Sequence, residues 1–234
     1  MSSILKHFTI RHAFRGALML AISFSGLAIA SAADTGTVLR LTPRTPTSAG
    51  ETHAALALTS ERVSGTYRIT GRAKVVQQLR TTPNAWEVAW ILWNYQDDTH
   101  FYYFTLKRNG WELGKRDPRH PGGQRFLATG ATPALSIGKW YSFDVVVIGA
   151  QMMVSIDGSP VAIFSDAEAP LYTSGRVGLY TEDADVRFAD ITAPNVTGFG
   201  SAVPNLSEDN KPFGDWFLAY RGNGMAAVLA QAED

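Results

Sequence analysis

From Thr37 to about Thr192, apolar side chains recur at every second position in short runs broken by Gly, Pro, Asn and Asp, and no stretch holds a helical period. A run of period two lays its apolar set on one face of a strand, so the pattern calls for stacked sheets and argues against a helical bundle. The sharpest instance is "HFYYFTLK", which passes through Arg108-Asn109-Gly110 into "WELGK". Asn-Gly between two alternating runs supplies the positive backbone angles of a tight hairpin turn. In that hairpin Tyr102, Phe104 and Leu106 share one face, and Tyr103, Thr105 and Lys107 share the other. A second hairpin joins "WYSFDVVVI" to "MMVSID" across Gly149, and Asp157-Gly158 turns the chain again into "VAIF". Many short strands at this spacing predict an all-β sandwich or barrel.

The two ends of the chain read differently. Lys6, Arg11 and Arg15 precede the acid-free stretch "GALMLAISFSGLAIA", which closes on Ala30-Ser31-Ala32, the pattern of a secretory signal peptide over residues 1–33. That apolar stretch falls short of the roughly 20 residues a membrane-spanning helix needs, so cleavage and a secreted or periplasmic protein are expected. Removing Lys6, Arg11 and Arg15 from the 21 basic residues leaves 18 against 21 acidic ones. This balance argues against a nucleic-acid partner, whose phosphates call for a basic face. No membrane span is expected after cleavage. The chain has no cysteine, which excludes a disulfide scaffold and thiol chemistry. The expected domain therefore covers residues 34–194. Residues 195–234 are expected to form a Gly/Pro-rich tail with room for a short helix.

Four segments, "WNYQDDTHFYYFTL", "NGWELGK", "GKWYSFDVVVIGAQMMVSIDG" and "GRVGLYTEDADVRFADI", together resemble the concanavalin A-like lectin/glucanase superfamily. The nearest branch is that of bacterial laminin-G-like and family 16-type jelly-roll modules, and the resemblance spans roughly Val38 to Ala193. It implies two stacked antiparallel sheets in a jelly-roll sandwich with a carbohydrate-facing concave surface, and it transfers no mechanism. One departure matters. Retaining glucanases of this kind carry a Glu-x-Asp-x-x-Glu or similar run on one strand, because nucleophile and acid must flank the glycosidic bond about 5 Å apart. No such run exists here, and the densest acidic cluster, Glu182 to Asp185, follows a Gly-Leu-Tyr strand and reads as a loop.

Within the stretch Asn84–Asp117, alternation places Trp86, Val88, Trp90 and Leu92 on one face and Glu87, Ala89, Ile91 and Trp93 on the other. Both faces are largely apolar, as in a strand covered on both sides. The functional reading makes Trp90, Trp93 and Tyr103 candidate plates for a pyranose ring, whose C–H face suits an aromatic surface. A sharper reading is polysaccharide β-elimination, in which Tyr103 or His100 removes the proton alpha to a uronate carboxylate and Lys107 or Arg116 neutralises the enolate. Glu87 and Glu112 complete that candidate set, although Lys107 and Glu112 also suit a plain cross-strand ion pair. Asp183, Asp185 and Asp190 offer hard oxygen ligands for a structural calcium. Three functions follow: a secreted module that binds a polysaccharide or oligosaccharide, a lyase or less readily a hydrolase acting on one, or an adhesion module meeting another protein through the "DPRHPGGQ" loop.

Overall fold

The computed structural model of the chain describes residues 38–194, 199–204 and 216–217. These form two antiparallel sheets. The first runs β1 (Val38–Leu41), β13 (Ala184–Thr192), β4 (Thr66–Gln78), β9 (Trp140–Ile148), β10 (Gln151–Ile156) and β11 (Ser159–Ser165) in spatial order. The second runs β15 (Trp216–Phe217), β14 (Phe199–Pro204), β2 (Ala54–Thr59), β12 (Ser174–Glu182), β5 (Trp90–Asp97), β6 (His100–Lys107), β7 (Gly110–Arg116) and β8 (Gln124–Gly130), with β3 (Val63–Ser64) beside β12. This is the expected two-sheet jelly-roll sandwich. Among the described residues the helical structure is one 3-10 turn, Pro121–Gly123, and no helix is long and apolar enough to cross a membrane.

The hairpins form where the turn residues stand. Lys107 pairs with Gly110, so Arg108 and Asn109 make the turn and the positive φ falls on Gly110 alone. No other residue fits there, because a Cβ on Gly110 would sit 2.0 Å from the Gly130 carbonyl oxygen on the neighbouring strand. Asp157 and Gly158, with φ of 48° and 78°, close the turn from Ile156 to Ser159 as a mirror-image type I turn.

The core lies between the sheets. Phe143, Val145 and Val147 of the first sheet face Ile91, Trp93, Phe104 and Leu113 of the second, and all are buried. Strand pairing gives the reason. Ile91 lies opposite Phe104 and Trp93 opposite Tyr102, so these alternate positions share the inner face, whereas Leu92 opposite Tyr103 and Trp90 opposite Thr105 share the outer one. At Asn94, φ is 48° and the register shifts, while its side chain is fixed by the Tyr67 hydroxyl at 2.6 Å and the Tyr172 carbonyl at 2.6 Å. A bulge held by buried hydrogen bonds is a built feature of the strand.

The tail expectation needs correcting. Phe199–Pro204 forms β14 and pairs with β2 from Phe199 opposite Thr59 to Ala202 opposite Leu56, which extends the second sheet past an otherwise open edge. The signal-peptide segment and the expected short helix near the C-terminus lie outside the described residues.

Phe104 is fully buried between the sheets. Phe104→Ala is expected to destabilise the domain by about 3–5 kcal/mol through the cavity it leaves, as read from denaturant melts.

Candidate functional site

The outer face of the second sheet carries the polar groups. Alternation along β6 turns Tyr103 and Thr105 outward, and pairing with β7 brings Glu112 opposite Thr105 and Gly114 opposite Tyr103. The Tyr103 hydroxyl donates to Glu112 Oε1 at 2.6 Å, Lys107 Nζ donates to Glu112 Oε2 at 2.6 Å, and Gln124 Nε2 donates to the Tyr103 hydroxyl. One carboxylate is thus held from both sides. Burial, and after it the Glu112 carboxylate, raises the Tyr103 phenol well above its ordinary value and keeps it protonated at neutral pH. Tyr103 is therefore a donor. A phenol held protonated in this way does not suit the role of proton-abstracting base expected for it.

Trp90 adjoins this chain, its ring 4.8 Å from that of Tyr103 and 5.7 Å from that of Tyr180 on β12. Two residues past Tyr180 on the same face comes Glu182, whose carboxylate meets the Tyr180 hydroxyl at 3.3 Å. Burial, with the neighbouring Asp183 second, pushes the Glu182 carboxyl up to about 8. Beside it opens a polar cavity of about 200 Å³ lined by Thr52, Arg80, Asn84, Trp86, Glu87 and Asp183 along with Glu182. Arg80 Nε lies 2.8 Å from Glu87 and 2.7 Å from Asp183, and its remaining nitrogens reach Ala49 O, Glu51 O and Thr52 Oγ1.

The residues expected from sequence separate clearly. Tyr103, Lys107, Glu112 and Arg116 share the outer face, and Glu87 stands at its end in the cavity wall. Lys107 and Glu112 form the cross-strand ion pair as well. His100 is three positions from Tyr103 and so turns to the other face, where it bonds Asp97 at 2.8 Å and meets the Tyr172 ring edge-on; it does not join the set. Trp93 is not a sugar plate, because it lies between the sheets, fully buried against Tyr102. Trp90 is on the outer face but packed between Tyr103 and Tyr180, with its indole N–H bound to Trp86 O at 2.8 Å. The aspartates offered for calcium do not converge. Asp183 pairs with Arg80, Asp185 with Arg40 and Asp190 with Arg72, and no group of three or more metal-ligating side chains occurs among the described residues. Sequence reading missed Gln124, Tyr180 and the inward aim of Glu182. The last was legible in principle, since Gly178, Tyr180 and Glu182 alternate on one strand.

The family model described as 3-keto-alpha-glucoside-1,2-lyase-like domain matches residues 63–193, a span that holds the Tyr103–Glu112 chain and the cavity wall apart from Ala49 and Thr52. The chain belongs to this family. No curated protein matches it. Among solved structures, it is similar to the carbohydrate-binding module CBM66 from Bacillus subtilis, at 15% identity and TM-score 0.49 over 68% of this chain and 96% of that one. It is also similar to sheep galectin-11 in complex with glycerol, at 11% identity and TM-score 0.42 over 65% and 97% of the two chains. A third is a SAP-like pentraxin from Limulus polyphemus, at 14% identity and TM-score 0.43 over 69% and 77%. The family match and the two stacked antiparallel sheets together support the resemblance carried by the Trp140–Gly158 hairpin and the Gly175–Ile191 strands as far as a carbohydrate-related jelly roll.

The raised carboxyl of Glu182 ties stability to pH. The folded domain holds this proton up to about 8, whereas the unfolded chain releases it near the ordinary carboxyl value of 4.5, so the stability that Glu182 contributes is fully present below the lower value and declines between the two. Glu182→Gln is expected to flatten that decline, with melting temperatures across pH 5 to 8.5 as the measurement.

Proposed function

We propose that this protein cleaves a 3-keto-α-glucoside by β-elimination across C1 and C2. The observation that carries the reading is the Tyr103–Glu112–Lys107 chain on the outer face of the second sheet, in a member of the 3-keto-alpha-glucoside-1,2-lyase-like family. A ketone at C3 acidifies the hydrogen on C2, and the glycosidic oxygen on C1 stands beta to that ketone. A base removes the C2 proton, the C–H electron pair forms the enolate, and collapse of the enolate makes the C1–C2 double bond as the C1–O bond breaks. The departing oxygen keeps that bond's electrons and is protonated. The products are a 1,2-unsaturated 3-keto sugar and an alcohol, and no oxidant or reductant is consumed.

Glu112 is the base in this scheme, steadied by Lys107 on its second oxygen. Tyr103, protonated and oriented by Gln124, steadies Glu112 through its hydroxyl, and Arg116 adds a cation on the same face where negative charge gathers on oxygen. The same groups suit uronate elimination in kind, but Glu87, Glu182 and Asp183 crowd carboxyl groups around the adjoining cavity and favour an uncharged sugar. The Met1–Ala33 segment supports action outside the cytoplasm.

The test is to incubate the protein with nitrophenyl 3-keto-α-glucoside and follow nitrophenol release together with the enone by NMR. Glu112→Gln and Tyr103→Phe are expected to lower kcat/KM by at least about a hundredfold with folding retained, and Lys107→Ala to act in the same direction. Deuterium at C2 is expected to slow release in the parent protein. Retention of the glycoside without either product overturns the enzyme reading and leaves a binding module.

A further inference from the structure

None of the groups assigned to the elimination lines the cavity beside Glu182. Its walls come from the Arg80–Glu87 segment and the end of β12, while the Tyr103–Glu112 chain sits on β6 and β7, with Trp90 and Tyr180 between. At about 200 Å³ it has room for roughly a dozen water-sized groups, the scale of one hexose ring with its hydroxyls. One wall is aromatic. Trp86 is 47% exposed, unusual for so large an apolar side chain, and its backbone is pinned, since its carbonyl accepts from Trp90 Nε1 at 2.8 Å and from Val88 N at 2.9 Å. A fixed, half-open indole at the rim of a polar cavity suits the C–H face of a pyranose.

The remaining walls select the sugar's charge. Arg80 is committed to Glu87, Asp183, two carbonyls and Thr52, and Asn84 Nδ2 is held on Glu87 Oε1 at 2.7 Å. Glu182 differs. It is 4% exposed, it lines the cavity, and among the described residues its partner is a Tyr180 hydroxyl at the long distance of 3.3 Å. A carboxyl group buried with so little hydrogen bonding has capacity left for a ligand hydroxyl. Glu87 and Asp183, two carboxylates around one arginine, also disfavour uronates and sugar phosphates.

We propose that this cavity is a subsite for one neutral hexosyl unit, stacked on Trp86 and hydrogen-bonded to Glu182. Resting on the elimination proposed above, that unit is the leaving sugar of a disaccharide whose keto ring lies at Tyr103 and Glu112. Neutrality of the Glu182 carboxyl below about pH 8 lets it donate to a sugar oxygen.

Two measurements test this separately. Tryptophan fluorescence titrated with trehalose and with glucuronate is expected to show saturable binding of the neutral sugar and at least about tenfold weaker binding of the acid. Trp86→Ala is expected to weaken the neutral sugar by about tenfold or more and Trp86→Phe by less, with Glu182→Gln removing the loss of affinity between pH 7 and 9. Trehalose binding that is absent, unchanged in Trp86→Ala, or matched by glucuronate overturns the subsite. In turnover, Trp86→Ala is expected to raise KM for 3-keto-trehalose by about tenfold more than KM for methyl 3-keto-α-glucoside. Equal effects on both substrates overturn the leaving-sugar assignment. Should the parent cleave neither substrate, the elimination itself fails, and the fluorescence titration still decides the cavity.

Discussion

Register between β6 and β7 is the constraint on which the outer-face chemistry depends. Tyr103 reaches Glu112 because its ring crosses Gly114, where a Cβ would stand 2.1 Å from the phenol, and because Gly110 allows β7 to close on Gly130. A slip of one residue would send Tyr103 between the sheets and Phe104 onto the outer face, losing the packing of Phe104 and the hydrogen-bonded Glu112 together. The hydrophobic requirement of the inner face thus fixes the position of the polar groups on the outer one. Fold and site are coupled through a period of two.

Two buried cations tie loops to this frame. Lys115, fully buried on the inner face, reaches Asp166 at 2.9 Å, the carbonyls of Glu168 at 3.0 Å and Pro170 at 2.7 Å, and the Tyr172 ring at 4.9 Å. Arg80 does the same for Glu87, Asp183 and the Ala49–Thr52 segment. Each hub spends its cation's donors inside the protein, as a buried charge must. Their role is to hold Asp166–Tyr172 in one case and the cavity wall in the other.

Much of this was readable from residue order, and the failures share a cause. The Tyr102/Phe104/Leu106 and Tyr103/Lys107 faces follow from alternation alone, because two neighbouring side chains of a strand cannot share a side. Trp93 and Trp90 likewise divide by parity, but sequence could not say which parity faces the other sheet. His100 was grouped with Tyr103 by residue type, against the parity that separates them. Asp183, Asp185 and Asp190 look like a cluster along the chain, yet positive φ at Asp183 and Asp190 and three different arginines scatter them. Arg40, Arg72 and Arg80 are distant in sequence, and long-range pairing has no local signature. The same holds for β14, whose partner β2 lies more than a hundred residues upstream.

What distinguishes Glu182 from the hubs is incomplete satisfaction. Lys115 and Arg80 are surrounded by acceptors, and nothing further can bind them without displacing one. Among the described residues Glu182 has one long hydrogen bond, to the Tyr180 hydroxyl, whereas Tyr103 is a protonated donor aimed at a carboxylate that also holds Lys107. Groups kept protonated by burial thus stand next to a carboxylate braced by a cation on one face. An apolar outer face would have served the fold equally well. Burying these groups costs stability wherever their hydrogen bonding is left unfinished, and a ligand bearing hydroxyls completes it.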